Sequence, residues 1–208
     1  MTAVSTLTLV CLEGIDGSGT STQARRLENR LKKSGVRRRV IHFPDYETPV
    51  GRLIKGFFLQ KINFDARGVR LLFAANRWER ASQIERALRR GVVVILDRYS
   101  SSNIAYGLAD DLDKKWLEDI ESGLPRPSLT ILIDIPSREA LKRKGRVKKL
   151  DRYEKNVKYI ERVRSAYLDL AREKGWKMVN GTRSRGELEE EIWTYVSGHL
   201  PRLAARTR

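Results

Sequence analysis

The sequence predicts an α/β fold, a parallel five-stranded sheet with helices on both faces. Two observations predict it. The apolar runs are short and hydrophobic at nearly every position, as expected of strands buried on both sides. Segments with helical spacing separate these runs, so successive strands are joined by crossover helices, which are right-handed. In such sheets ligands sit beyond the carboxyl ends of the strands. The polar residues that follow each strand are therefore the candidates for function.

The elements follow in order. Leu7–Leu12 is a buried strand closed by Glu13 and Gly14. Thr20–Lys33 carries Ala24, Leu27 and Leu31 on one helical face and stops at Gly35. Val36–His42 is the second strand. Thr48 is placed to cap a helix that opens with Pro49. Phe64–Arg90 is a long helical pattern that starts at the Asp65 cap and ends before Gly91. Val92–Leu96 is a β-branched run closed by Asp97, which predicts a central strand. Asp113–Glu121 is helical, and Leu129–Ile135 is a further strand. Asp151–Glu173 reads as a long helix ended by Gly175, with a short strand at Lys177–Val179. Ser184 and Glu187 form a capping box, and Leu188, Ile192 and Val196 line one stripe of the helix behind it.

With 208 residues, the chain has the size of one domain, 1–208, able to bury a core without staples. Lys and Arg number 42 against 26 Asp and Glu, for a net charge of +16. That excess implies an anionic partner. The one cysteine, Cys11, excludes an internal disulfide framework and a cysteine-based zinc site. The apolar start is too short for a signal core and runs into Glu13, which predicts a cytoplasmic protein with no membrane partner. No helix-turn-helix, zinc or RNA-binding signature accompanies the charge, so nucleic acid is not the expected partner.

Glu13-Gly-Ile-Asp-Gly-Ser-Gly-Thr-Ser21 joins the first strand to the first helix. Gly14 and Gly19 take the glycine positions of the G-x-x-x-x-G-K-[ST] phosphate loop, and Ser21 takes the hydroxyl position. Thr20 stands where lysine belongs. Glycines let successive N–H groups turn inward, and the helix N-terminus adds its dipole, so Gly14, Ile15, Asp16, Gly17, Ser18, Gly19, Thr20, Ser21 and Thr22 can cradle phosphates. Taken alone, the segment is equally a tight strand-to-helix turn without a ligand. Asp97 and Arg98 close the central strand. A carboxylate there can hold Mg²⁺ together with Ser21, and the arginine can grip a phosphate. Taken alone, they are an exposed ion pair. Lys142, Arg143, Lys144, Arg146, Lys148, Lys149 and Arg152 crowd one short segment. It is either a solvated basic loop or a lid, at about 141–152, that closes over nucleotide phosphates.

Six segments in register then resemble the thymidylate kinase family of P-loop nucleoside monophosphate kinases. They are Leu12–Gly19, Phe43-Pro44, Leu71-Leu-Phe-Ala-Ala-Asn-Arg-Trp-Glu79, Asp97-Arg-Tyr-Ser-Ser-Ser-Asn-Ile-Ala-Tyr106, Gly123-Leu-Pro-Arg-Pro127 and Asp151-Arg-Tyr-Glu154. The resemblance implies transfer of a phosphoryl group from ATP to dTMP with Mg²⁺, in a homodimer built through the helices after the second strand. It implies that dTMP is bound by Asp16, Phe43, Phe73, Arg77, Arg98, Ser102, Tyr106 and Tyr153. Phe73 would stack on the thymine, Arg77 would donate to O4, Arg98 would bind the acceptor phosphate and Tyr106 would exclude a 2′-hydroxyl. Arg143 would stack on adenine, and Asp97 and Ser21 would hold the metal.

Three positions depart from the family pattern. Thr20 leaves the loop one cation short. Gly107 replaces a polar residue that helps read thymine. Asp45-Tyr46-Glu47 lacks an arginine, whose contact Lys55 or Arg70 would have to supply. A cation from the lid, Arg146 or a neighbour, is expected to replace the missing lysine, which puts Asp97, Arg98, Arg143 and Arg146 in the catalytic set. The rival functions are a nucleotide-binding homologue impaired at Thr20, a kinase for another deoxynucleotide or deoxynucleoside, and a nucleic-acid-binding protein.

Overall fold

The computed structural model describes residues 8–145 and 157–200. In chain order the elements are β1 (Leu9–Glu13), α1 (Thr20–Lys33), β2 (Arg38–His42), α2 (Pro49–Phe58), α3 (Ala66–Arg89), β3 (Val93–Asp97), α4 (Ser100–Ala109), α5 (Lys114–Asp119), β4 (Leu129–Asp134), α6 (Ser137–Gly145), α7 (Val157–Lys174), β5 (Lys177–Asn180) and α8 (Arg185–Ser197). The five strands form one sheet in the order β2-β3-β1-β4-β5, and every pairing is parallel. Among the described residues, no helix is long and apolar enough to cross a membrane.

Alternation along β1 shows why its run is apolar throughout. Val10 and Leu12 point to one face, into a core shared with Ala24, Leu27 and Leu31 of α1 and Leu188, Ile192 and Val196 of α8. Leu9 and Cys11 point to the other face, against Ile84 and Leu88 of α3. A further cluster on that second face packs α4 and α7 around Leu132, Ile160, Val163 and Tyr167. Burying one such aliphatic side chain contributes roughly 1.5–3 kcal/mol.

The caps form as the sequence predicts. Thr48 accepts from the N–H of Gly51, with Pro49 in the first turn of α2. Asp65 caps α3, and Ser184 and Glu187 complete the capping box of α8. Two helices were not expected. One is α4, where three serines and a glycine hide the repeat of Ala105 and Ala109. The other is α6, which corrects the reading of a loop from residue 142. The start of the basic segment, Lys142 to Gly145, continues a helix that begins at Ser137. Arg146, Lys148, Lys149, Arg152 and Tyr153 lie outside the described residues.

The strand order places the site. β1 lies between β3 and β4, so the turn after β1 opens beside the end of β3. The register pairs Leu12 with Asp97 and His42 with Asp97, which brings three strand ends to one edge.

Candidate active site

The turn after β1 is built from backbone. Gly14 has φ 157°, and a Cβ there would meet Ser18 Oγ at 2.6 Å and the Ile133 carbonyl at 2.7 Å. Gly17, at φ 85°, lies so close to the Ala140 carbonyl of α6 that any side chain would collide with it. Gly19 caps α1 at φ 104° with no side-chain hydrogen bond, and the space beside its Cα is open. The first N–H groups of α1 are thus left to a ligand, which favours an anion. Ile15 and Ser18 are buried beneath the turn, and Ser18 Oγ has no hydrogen-bond partner. Thr20 is buried, Thr22 is half-buried and Ser21 is exposed. A cleft of about 410 Å³, lined by Ser21, Thr22, Arg25, Glu28, Val40 and His42, opens beside the start of α1.

Asp97 stands at the end of β3. Its Oδ2 is 2.8 Å from His42 Nδ1. Its other oxygen, Oδ1, is buried and accepts no hydrogen bond of ordinary geometry. Burial alone would raise its pKa; the His42 bond, the nearby Ser21 and Thr20 hydroxyls and the Arg98 charge outweigh that and hold it below the usual carboxylate range. In return the bond to Asp97 raises the His42 imidazole. Arg98 follows with φ 67°, a strained conformation of the kind that gathers at functional sites. Its guanidinium pairs with Asp16 of the turn after β1, lies 5.9 Å from the Tyr106 ring and donates to the Tyr106 hydroxyl at 3.5 Å. Burial works against the Arg98 charge, but Asp16 together with the Tyr106 and Tyr167 hydroxyls more than restores it, so the pKa rises further above its usual value.

On the far side of Arg98, α3 packs against α4. Phe73 is half-buried, with the edge of Phe58 against it at 6.1 Å. Arg77 is only 2 % exposed. Its Nε, at 2.8 Å, and its Nη2 both donate to Glu121, which leaves Nη1 outside that pairing. Tyr106 is half-buried on α4.

Two expected contacts are placed differently. Ser102 was expected at the base edge, but its hydroxyl lies beneath α4, 2.7 Å from both Glu13 Oε2 and the Tyr167 hydroxyl. Phe43 is buried against Tyr99, with ring centroids 5.5 Å apart, and it packs as core. Arg143 donates to the Gly181 carbonyl at 2.9 Å, which ties α6 to the loop after β5.

The sequence reading missed four contributors. Glu121 fixes Arg77. Glu13, fully buried, holds Ser102, Tyr167 and the Tyr99 N–H together. His42 anchors Asp97; its one signal was its place as the last residue of a strand. Asn103 donates to Glu121 at 2.6 Å and to the Arg70 carbonyl at 3.0 Å, while its buried Oδ1 has no partner. Gly107 also acquires a reason. A Cβ there would collide with the Leu117 side chain, so α4 approaches α5 too closely for the polar residue of the family pattern.

Comparison with known proteins decides the family. The pattern for thymidylate kinase matches residues 12–192. The chain belongs to the thymidylate kinase family. A probable thymidylate kinase from Pyrococcus abyssi is 38 % identical over 200 residues, covering 92 % of this chain and 96 % of that protein. The human thymidylate kinase is 33 % identical over 187 residues, covering 88 % of this chain and 87 % of the relative. The solved thymidylate kinase structure from Candida albicans superposes with a TM-score of 0.82 at 31 % identity, covering 92 % of this chain and 91 % of that one. A thymidylate kinase is a nucleoside monophosphate kinase, so the chain is a phosphotransferase of the P-loop type.

The residues present fit the groups such an enzyme uses. The open space at Gly19 and the uncapped start of α1 suit ATP phosphates. An ionised carboxylate with one unpartnered oxygen, next to an exposed serine hydroxyl, suits Mg²⁺. The motif residues Asn76 and Glu79 serve the framework. Asn76 holds Thr48 at 2.7 Å and Glu79 accepts from the Val50 N–H at 3.1 Å, so they clamp α2 onto α3.

Proposed function

We propose that the γ-phosphoryl group of ATP is donated over the turn Gly14–Thr22 to the phosphate of dTMP, whose thymine stacks on Phe73. The observation that supports this most is the position of Arg98. It is anchored by Asp16 of the phosphate loop on one side and faces Tyr106 of the acceptor wall on the other. A fixed cation between a phosphate cradle and an aromatic pocket is what an in-line transfer between two bound nucleotides requires. The acceptor oxygen is already anionic, so no general base is needed. Asp97 and Ser21 would hold Mg²⁺, which neutralises charge on the transferring phosphates. Asp16 and Tyr106 would face the deoxyribose, Arg77 Nη1 would donate to O4, and Tyr153 would complete the acceptor site. Arg143 would stack on adenine.

Thr20 brings no positive charge to the loop. Arg146, with its basic neighbours, would bring that charge when the lid closes. The partners are dTMP, ATP and a second copy of this chain. For the dimer, Leu71 and Trp78 recur at a seven-residue interval on α3 and are 49 % and 46 % exposed, with Leu53 of α2 at 42 %. That apolar stripe is of the kind that a homodimer covers. A cytoplasmic location fits an enzyme acting on free nucleotides.

The test is ADP release with ATP and Mg²⁺ over a panel of dTMP, dUMP, dCMP and thymidine. dTMP is expected to turn over fastest. Turnover of thymidine in preference to dTMP, or of no acceptor, overturns the proposal.

A further inference from the structure

Among the described residues of α3 and α4, Arg70 is the one strongly buried cation that the mechanism leaves unused. It is 3 % exposed and lies 5.3 Å from the Phe73 ring and 6.0 Å from the Tyr106 ring. Its Nε is buried and has no hydrogen-bond partner. Its counter-charge, Asp110, stands 3.5 Å from Nη2, beyond hydrogen-bonding reach for good geometry. Asp110 Oδ2 is likewise unpartnered, while Oδ1 accepts from the Tyr159 hydroxyl at 3.0 Å. A buried guanidinium with an unmet donor is costly, and native structures meet such donors or use them.

Arg70 is also badly placed to replace the arginine missing after Pro44. Arg98 meets Tyr106 from the phosphate-loop side. Arg70 pairs with Asp110, one helical turn further along α4 and away from that loop. It therefore faces the base and not the phosphate.

Hydrogen bonds connect these residues in sequence, from Arg77 through Glu121 and Asn103 to Arg70, whose guanidinium lies beside Phe73. Arg77 offers Nη1, a donor. Asn103 offers its unpartnered Oδ1, an acceptor, and its Nδ2 is bonded both to Glu121, which holds Arg77, and to the Arg70 carbonyl. Arg70 offers Nε, a donor. The order is donor, acceptor, donor. The edge of a 2,4-dioxopyrimidine runs acceptor, donor, acceptor through O4, N3–H and O2, which is its complement; cytosine presents a donor at position 4 and an acceptor at N3. We propose that Arg70 is a specificity-determining residue that donates a hydrogen bond to O2 of the acceptor base and completes this series. The inference rests on the dTMP reading given above and extends it to the far edge of the ring.

The test compares dTMP with its 2-thio and 4-thio analogues, because sulfur is a weaker acceptor than oxygen at one chosen position. In the unaltered protein each thio substitution is expected to raise KM by about tenfold with little change in kcat. Arg70→Met should raise the KM for dTMP by roughly 10- to 100-fold, the range for a hydrogen bond from a charged donor. It should also erase the 2-thio penalty while leaving the 4-thio penalty in place. Because Arg70→Met strands Asp110, the double variant Arg70→Met/Asp110→Asn is measured beside it, and the analogue comparison in the unaltered protein needs no variant. Equal use of dTMP and 2-thio-dTMP by the unaltered protein overturns the proposal, as does a 2-thio penalty that survives in the variants. Failure of the unaltered protein to turn over dTMP overturns the acceptor assignment itself, and the same assay separates that result from the other two.

Discussion

The proposed donor and acceptor sides of this site are built on different principles. On the proposed acceptor side each cation faces a carboxylate: Arg77 and Arg98 are hydrogen-bonded to Glu121 and Asp16, and Arg70 lies 3.5 Å from Asp110. All three arginines are largely withdrawn from water, and their orientation is settled before substrate arrives. On the donor side the cradle is nearly all backbone, with glycines at Gly14, Gly17 and Gly19 and no lysine. Preorganised charge stabilises a transition state without reorganisation, whereas charge carried on a lid must be brought in on each turnover. If a lid supplies the missing charge as proposed, specificity is set by the rigid half alone and the rate depends on both halves.

Removing charge from the rigid half at the point where the halves meet should have the largest effect. Arg98→Met deletes the cation beside the transferring group and strands Asp16. A kcat loss on the order of 10³ is expected, with a smaller rise in the KM for dTMP, by analogy with the loss of a transition-state donor. Steady-state kinetics with both substrates varied checks it. A change confined to KM would place Arg98 in binding alone and remove the proposed link between the halves.

The assembling half should be sensitive at the lid instead. Arg146→Ala is expected to lower kcat by about 10²-fold, and the Lys148 and Lys149 variants by less. Binding of dTMP, read by calorimetry without ATP, should stay unchanged, because Arg77 and Arg98 are held by Glu121 and Asp16 and not by the lid. If no single lid variant lowers kcat more than tenfold, the compensation for Thr20 lies elsewhere.

The same contrast governs what could be read in the sequence. Backbone features are local, so the Gly-rich turn after β1, the Thr48 and Asp65 caps and the alternation of strands and helices along the chain were legible as residue patterns. Arg98 was legible as a cation at the tip of a central strand, but Arg77 only through a segment resembling a family, since periodicity treats a buried arginine on α3 as any other polar residue. Their partners were not legible at all. Glu121 is 44 residues from Arg77, and Asp16 is 82 from Arg98; no spacing rule joins them, because the crossovers decide which loops meet. Ser102 was misplaced for a related reason. Its helix, α4, was hidden by serines and a glycine, so the rotation that turns its hydroxyl toward Glu13 could not be inferred. Gly107 was read as a missing contact because the closeness of Leu117 appears only once α4 and α5 are packed.

The smallest expected effect separates framework from chemistry. Glu13 lies under both halves, and burial raises its pKa, partly offset by the hydrogen bonds from Ser102, Tyr167 and the Tyr99 N–H and by the Arg98 charge. Above the raised folded pKa Glu13 is ionised in the folded and unfolded chain alike, and the fold bears the cost of a buried charge. As pH falls through the raised folded pKa, the folded chain binds a proton that the unfolded chain does not yet hold. The Glu13 contribution therefore becomes more favourable with acidification, and it levels off below the unfolded value near 4.5. Glu13→Gln keeps the shape and removes this titration. The variant also loses hydrogen bonds to a charged acceptor, which shifts its Tm by a pH-independent amount. What tests the argument is the pH dependence of the difference. Relative to the unaltered protein, the Tm of Glu13→Gln should be higher at pH 8 than at pH 5 by ~2–4 °C, about 1 kcal/mol for a chain of this length. A difference that is flat, or that grows toward acid, would mean that the hydrogen bonds around Glu13 outweigh its burial and that the shared floor of the site is stabilised by the charge.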